Sequence, residues 1–211
     1  MRDFQSGLGA TGIHESGHAI AAHYSPTLPR VLAVTLGIGS GGGCTHLREL
    51  DPMDSSPRTF HEGMRVLAAG YMAEALAGGR PRFEGGDADK LVRMVALYAE
   101  WTARRAPAPT TRTAGGVAAR RVVSAACAQA RDAMRDAELL LRAHWGEVTL
   151  VAQRLLTCGG GMNAAFLEST IEVAQRRPAP KVDDAEHMLA LVGAFEGRHA
   201  WLEGALRQQL A

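Results

Sequence analysis

Helical spacing of apolar residues dominates this chain, and strand-like character is confined to a short stretch near its start. The pattern predicts a first helix from about Ala10 to Tyr24, ending before Ser25-Pro26. Val31 to Ile38 is short and β-branched and reads as a strand. Gly39 to Gly43 is a turn, and Cys44 to Arg48 returns as the second strand of a hairpin. Ser56-Pro57 combines a capping side chain with a first-turn proline and opens a helix to about Ala77, closed by Gly78-Gly79. Another helix starts at Gly85-Gly86-Asp87 and runs to about Arg105, followed by a loop through Gly116. From Val117 only helices are expected: one to about Ala143, one to Thr157 after a break near Gly146, and one from the Asn163 cap to about Val173. Pro178-Ala179-Pro180 interrupts the chain, and a last helix begins at Asp183, with Glu186 completing a capping-box-like pair.

This layout predicts a mainly α protein with a small β-sheet, of the α+β class. Residues 1–105 form an α+β lobe, residues 106–176 a helical lobe of the same domain, and residues 177–211 a helical extension. With 211 residues, the chain can bury a sizeable core. The net charge is +1 and no basic stripe is present, so nucleic acid is not an expected partner. Cys44, Cys127 and Cys158 are far apart and form no C-x-x-C pair, which favours a reducing, cytoplasmic setting. No uncharged stretch suits a membrane span, since Val31–Thr45 is broken by glycines and a serine.

The chemistry concentrates in His14-Glu15-Ser16-Gly17-His18. On a helix, positions i and i+4 share one face, so both imidazoles point the same way. Two neutral imidazoles so placed suit zinc, and the adjoining Glu15 is placed to take a proton from water on the metal. The third ligand is open on these grounds among Glu74, Asp87 and Asp89. A metzincin would carry Gly and His where this chain has Ala21 and Tyr24. Asp87 suits a helix cap better than a ligand position, and Asp89 suits a first-turn carboxylate favoured by the helix dipole.

Three segments carry a resemblance. His14-Glu-Ser-Gly-His-Ala-Ile20 resembles the H-E-A-G-H-A of the FtsH-type membrane AAA proteases. Ala68-Ala-Gly-Tyr-Met-Ala-Glu-Ala-Leu76 resembles their L-G-G-R-x-A-E-E-L helix, and Gly85-Gly-Asp-Ala-Asp89 their G-A-S-x-D segment. More weakly, Pro29 to Leu50 is similar to the strand pair beside that family's active site. The resemblance implies that Asp89 is the third zinc ligand and that Glu74 is a supporting residue behind a histidine. Asp87 stands where the family has a small residue and adds a second carboxylate beside the site. Lys90 follows Asp89 where the family usually has an apolar residue.

The expectation is therefore a zinc metalloendopeptidase with one zinc per chain, held by His14, His18 and Asp89, and with Glu15 as the base. Unfolded polypeptide would lie extended along Thr45, His46 and Leu47 as an added strand. No phosphate-binding loop is present, because Gly39–Gly43 lacks the following lysine, so cleavage is expected to be ATP-independent. The alternatives are a non-catalytic zinc-binding or adaptor module, and a zinc aminopeptidase using Asp87 to hold a free amine. Ala185, Met188, Val192, Phe195, His199, Leu202 and Leu206 form a heptad-like stripe. A homo-oligomer is expected partly through residues 183–208, and no membrane contact is expected.

Overall fold

In a computed structural model, the described residues up to 177 form six helices and three short strands. It describes residues 8–37, 42–47, 56–83, 85–107 and 112–177 and, further on, Leu191, Gly193, Ala194, Phe195, Gly197, Arg198 and Gly204. The order is α1 (Leu8–His23), β1 (Val31–Leu36), β2 (Gly43–Leu47), α2 (Pro57–Leu76), α3 (Gly86–Arg105), α4 (Arg112–Ala143), α5 (Trp145–Thr157), β3 (Gly161–Asn163) and α6 (Ala164–Gln175). The protein is mainly helical with one small antiparallel sheet. No helix among the described residues is long and apolar enough to cross a membrane.

α1 is the central helix. Ile13, Ala19, Ile20, Ala21 and Ala22 are all buried, and so are the polar Glu15, Ser16 and His18. Helices buried all round lack a wet face for polar groups, so these side chains need internal partners. Ser16 Oγ donates to the Gly12 carbonyl at 2.7 Å, one turn back. α2 packs along α1 at a distance set by small residues. A Cβ added to Gly17 would stand 2.5 Å from the Ala69 carbonyl oxygen and 2.7 Å from Ala73 Cβ. α4 lies along α2 and α3, and α5 lies against α1. One contiguous core therefore runs through both predicted lobes.

The sheet has the order β2-β1-β3, with both pairings antiparallel. Val34 pairs with Thr45 on one side and Met162 on the other. A bulge lies between Val31 and Ala33. β2 is an edge strand packed beside α1, with Gly43, Cys44 and His46 exposed. β3 was not anticipated, because Gly-Met-Asn is too short to show an alternating pattern. The helix expected from Val117 begins at Arg112, running through Gly115-Gly116 despite their poor helix propensity. The break expected near Gly146 falls at His144.

Two helix starts matter for the site. α2 is capped by Ser56, whose hydroxyl accepts from Thr59 N–H at 3.1 Å, with Pro57 in the first turn. α3 begins after Gly85, whose φ of 79° only glycine adopts without strain. Asp87 is therefore not the cap of α3 but its second residue, and its carboxylate is available for other partners. The expected helix start at Asp183 lies outside the described residues. So does most of the heptad-like stripe, but Phe195 is buried within this chain, as is the nearby Leu191.

Gly17→Ala should destabilise the fold by about 1–3 kcal/mol, because the obstructing atom is backbone and cannot swing aside. That exceeds the roughly 1 kcal/mol that alanine gains in helix propensity. Gly116→Ala, with nothing within 4 Å of its added Cβ, should be neutral or stabilising. Thermal unfolding of the two variants checks the contrast.

Candidate metal centre

His14 and His18 leave α1 one turn apart and point into the same cleft. Their Nε2 atoms lie 2.9 Å from each other. Asp87 Oδ2, arriving from the first turn of α3, is 3.2 Å from both. Both Nδ1 atoms are engaged from behind. His14 Nδ1 lies 2.5 Å from Glu74 Oε1, and His18 Nδ1 lies 2.6 Å from the Val66 carbonyl oxygen. Carbonyls and carboxylates accept only, so each Nδ1 carries a hydrogen, and an imidazole in its neutral form turns an Nε2 lone pair into the cleft.

Three acceptors that converge so closely repel one another unless a cation lies among them. For a four-coordinate ion with bonds of about 2.0–2.1 Å, tetrahedral geometry separates ligand atoms by about 3.3–3.4 Å. The observed 2.9, 3.2 and 3.2 Å come within a few tenths of an ångström of that triangle. His14, His18 and Asp87 can hold a metal ion. α2 also leaves room there: a Cβ on Gly70 would stand 2.5 Å from His14 Nε2 and 2.6 Å from His18 Nε2. A side chain at position 70 would collide with both imidazole rings.

The electrostatics point the same way. Burial works against a charged His14. Its hydrogen bonds to Asp87 and Glu74, which accept, and the charges of Glu74 and Glu15, outweigh it and lift its pKa to about 9. Burial likewise disfavours a charged Asp87. Its hydrogen bonds to His14 and His18, the charge of His18 and the Lys90 hydrogen bond nevertheless hold its carboxyl well below the usual range. The cluster demands positive charge, which a proton or a metal ion can supply.

Glu15 is buried against β2. Thr45 Oγ1 lies 2.9 Å from Glu15 Oε2 and 3.0 Å from the Glu15 carbonyl oxygen, so its one hydrogen ties the residue to the edge strand. Gly43 lets the strand approach: a Cβ there would lie 2.5 Å from Glu15 Cγ and 2.8 Å from Oε1. The cleft has a volume of about 290 Å³. Val66, Leu67 and Leu47 give it apolar walls, Tyr71 and Lys90 close its α2–α3 side, and Gly43 to Thr45 form the opposite lip. Lys90 Nζ lies 2.8 Å from Asp87 Oδ1, on the carboxylate oxygen not shared by the histidines.

These positions correct the expected ligand set. Asp89 does not join the histidines; its Oδ1 lies 3.2 Å from Arg198 Nη1 on the outer side of α3. Residues two apart on a helix point about 200° apart, so α3 can present only one of the two aspartates to α1. Asp87, expected only to support the site, takes the position facing the pair. The apolar residue expected after the ligand was the available signal, since Ala88 follows Asp87 and is fully buried, whereas Lys90 follows Asp89. Glu74 lies behind His14, where a supporting carboxylate was expected. Thr45 and Leu47 line the cleft. His46 does not; it faces the other side of the sheet, 3.1 Å from Thr35 Oγ1. The contributions of Thr45, Gly70 and Tyr71 were not foreseen as such, because each depends on packing between distant segments.

A scan against protein-family models and a search among curated proteins both return no match for this chain.

Asp87→Ala should weaken metal binding by at least about a hundredfold, whereas Asp89→Ala should stay within about tenfold of wild type. Chelator competition with metal-free protein measures both. The pH dependence has a definite sign. Below about pH 9 the metal-free His14 holds a proton that the metal must displace. Apparent affinity should therefore rise about tenfold per pH unit towards pH 9 and level off above it. An affinity that is flat from pH 6 to 8 would contradict the raised proton affinity of His14.

Proposed function

We propose that this protein is a zinc metalloendopeptidase that hydrolyses peptide bonds in unfolded or flexible polypeptides without ATP. One observation carries the reading: two imidazole lone pairs and a carboxylate oxygen converge in a cleft that also holds a buried glutamate and an exposed strand edge. The donor set of two nitrogens and one oxygen, with the cleft side open, fits a catalytic rather than a closed structural zinc site. The resemblance of the His14–Ile20 and Ala68–Leu76 segments to FtsH-type peptidases supports the same reading.

Bound there, zinc would supply Lewis acidity, making water acidic near neutral pH and polarising a carbonyl oxygen. The chain's own residues do the rest. Glu15 takes a proton from the attacking water at its carboxylate and returns it to the leaving amine. Thr45 holds Oε2 of that carboxylate, while the bare Gly43 keeps the approach to Oε1 uncrowded. Glu74 and the Val66 carbonyl fix the histidine tautomers. Lys90 neutralises the outer oxygen of Asp87. An extended substrate would pair along β2, the edge strand among the described residues, through main-chain hydrogen bonds, which read little sequence. The apolar walls of Val66, Leu67 and Leu47 would favour apolar side chains beside the cut.

An aminopeptidase draws less support. Its one motive was Asp87 as partner for a free amine, and that carboxylate is committed to the histidines and to Lys90. A non-catalytic module would have no use for a buried Glu15 tethered by Thr45.

Glu15→Gln should abolish cleavage of casein or of a quenched unfolded peptide while leaving zinc content at one per chain. Glutamine keeps the size and the Thr45 bond but cannot take a proton. Equal turnover by wild type and the variant would remove Glu15 from the base role. A zinc-loaded wild type inert towards several unfolded substrates would favour the non-catalytic module.

A further inference from the structure

The start of α3, which carries Asp87, has no side-chain cap: Gly85 supplies none. The N–H groups of a first helical turn need partners from outside the helix. One comes from Tyr71, whose hydroxyl oxygen accepts from Ala88 N–H at 3.3 Å. The same tyrosine meets the His14 ring edge-on, with centroids 5.0 Å apart. It thus touches one histidine of the metal centre and the backbone next to Asp87. Tyr71 is backed by Phe83 at 4.8 Å, and Phe83 by Phe195 at 5.6 Å in an edge-on contact. Phe195 belongs to the C-terminal segment and is 1% exposed. Three residues on, Arg198 Nη1 lies 3.2 Å from Asp89 Oδ1, so the same segment grips the first turn of α3 from outside.

We infer that the C-terminal segment is a positioning strap for the metal centre. Phe195 acts through Phe83 and Tyr71, and Arg198 through Asp89, to hold the His14 ring and the first turn of α3 so that Asp87 meets both histidines. Asp89 is then a handle for the strap rather than a ligand. The exposed ion pair alone is worth little, and the aromatic series carries most of the effect. The inference rests on the metal-site reading, and its test separates the two.

Zinc affinity by chelator competition and the visible absorption of the cobalt(II)-substituted full-length protein provide the readouts, neither of which requires catalysis. Phe195→Ala should bind about tenfold more weakly and show an altered cobalt spectrum, and Tyr71→Phe should shift both in the same direction. Arg198→Glu, a surface change that spares the core, should weaken binding several-fold, and adding Asp89→Arg should restore it. Val148→Ala, a core truncation in α5, should lower the melting temperature yet leave both readouts at wild-type values. Strap variants indistinguishable from wild type in affinity and spectrum would overturn the strap while leaving the metal site standing. So would an equal loss in Val148→Ala, which would indicate general loosening. A wild type that binds no zinc would overturn both.

Discussion

The candidate metal centre depends on two missing side chains. Gly17 lets α2 lie against α1 so closely that a single methyl group would meet the Ala69 carbonyl, and Gly70 leaves room for both histidine rings, which a Cβ there would meet at 2.5–2.6 Å. Close approach brings α2's own groups within reach of the rings: the Val66 carbonyl behind His18 and the Glu74 carboxylate behind His14. Separate the helices by an ångström and both hydrogen bonds lengthen beyond use, the rings regain their freedom, and the lone pairs no longer converge. Gly43 plays the same part for Glu15, admitting β2 to the flank of the carboxylate. The site is thus framed by close backbone packing as much as by its polar residues.

Electrostatics then make the site a demand for positive charge. Three carboxylates, Glu15, Glu74 and Asp87, gather around two imidazoles in a largely buried setting, with Lys90 as the cation at the rim. The raised affinity of His14 for a proton and the reluctance of Asp87 to accept one express the same field. A divalent ion answers that field with more charge than a proton does and can keep all three donors as ligands. That exchange would couple metal binding to pH and would favour the first turn of α3 staying against α1.

The sequence carried what is local. A pair of histidines at i and i+4 with an intervening glutamate could be read without knowing any neighbour, as could the Ser56-Pro57 helix start and the β-branched strand beside a glycine turn. The choice between Asp87 and Asp89 was not local. It turned on Gly85, not Asp87, preceding the first residue of the helix, and on which face α3 turns towards α1. Thr45 escaped assignment as the partner of Glu15 because thirty residues separate them and only the antiparallel register of β2 brings them together. His46 was misplaced for a related reason: its strand position was legible, but not which face of the sheet looks into the cleft. Of the apolar stripe of the tail, read as part of an interface between copies, Phe195 is the described member, and it packs inside its own chain, on Phe83.

The most direct test of this account is anomalous diffraction at the zinc edge from crystals of zinc-loaded protein. The account predicts one peak per chain, at about 2.0–2.2 Å from His14 Nε2, His18 Nε2 and an Asp87 carboxylate oxygen, with its remaining coordination open to the cleft beside Glu15. A peak ligated by Asp89 in place of Asp87, or no peak between the two histidines, would contradict it.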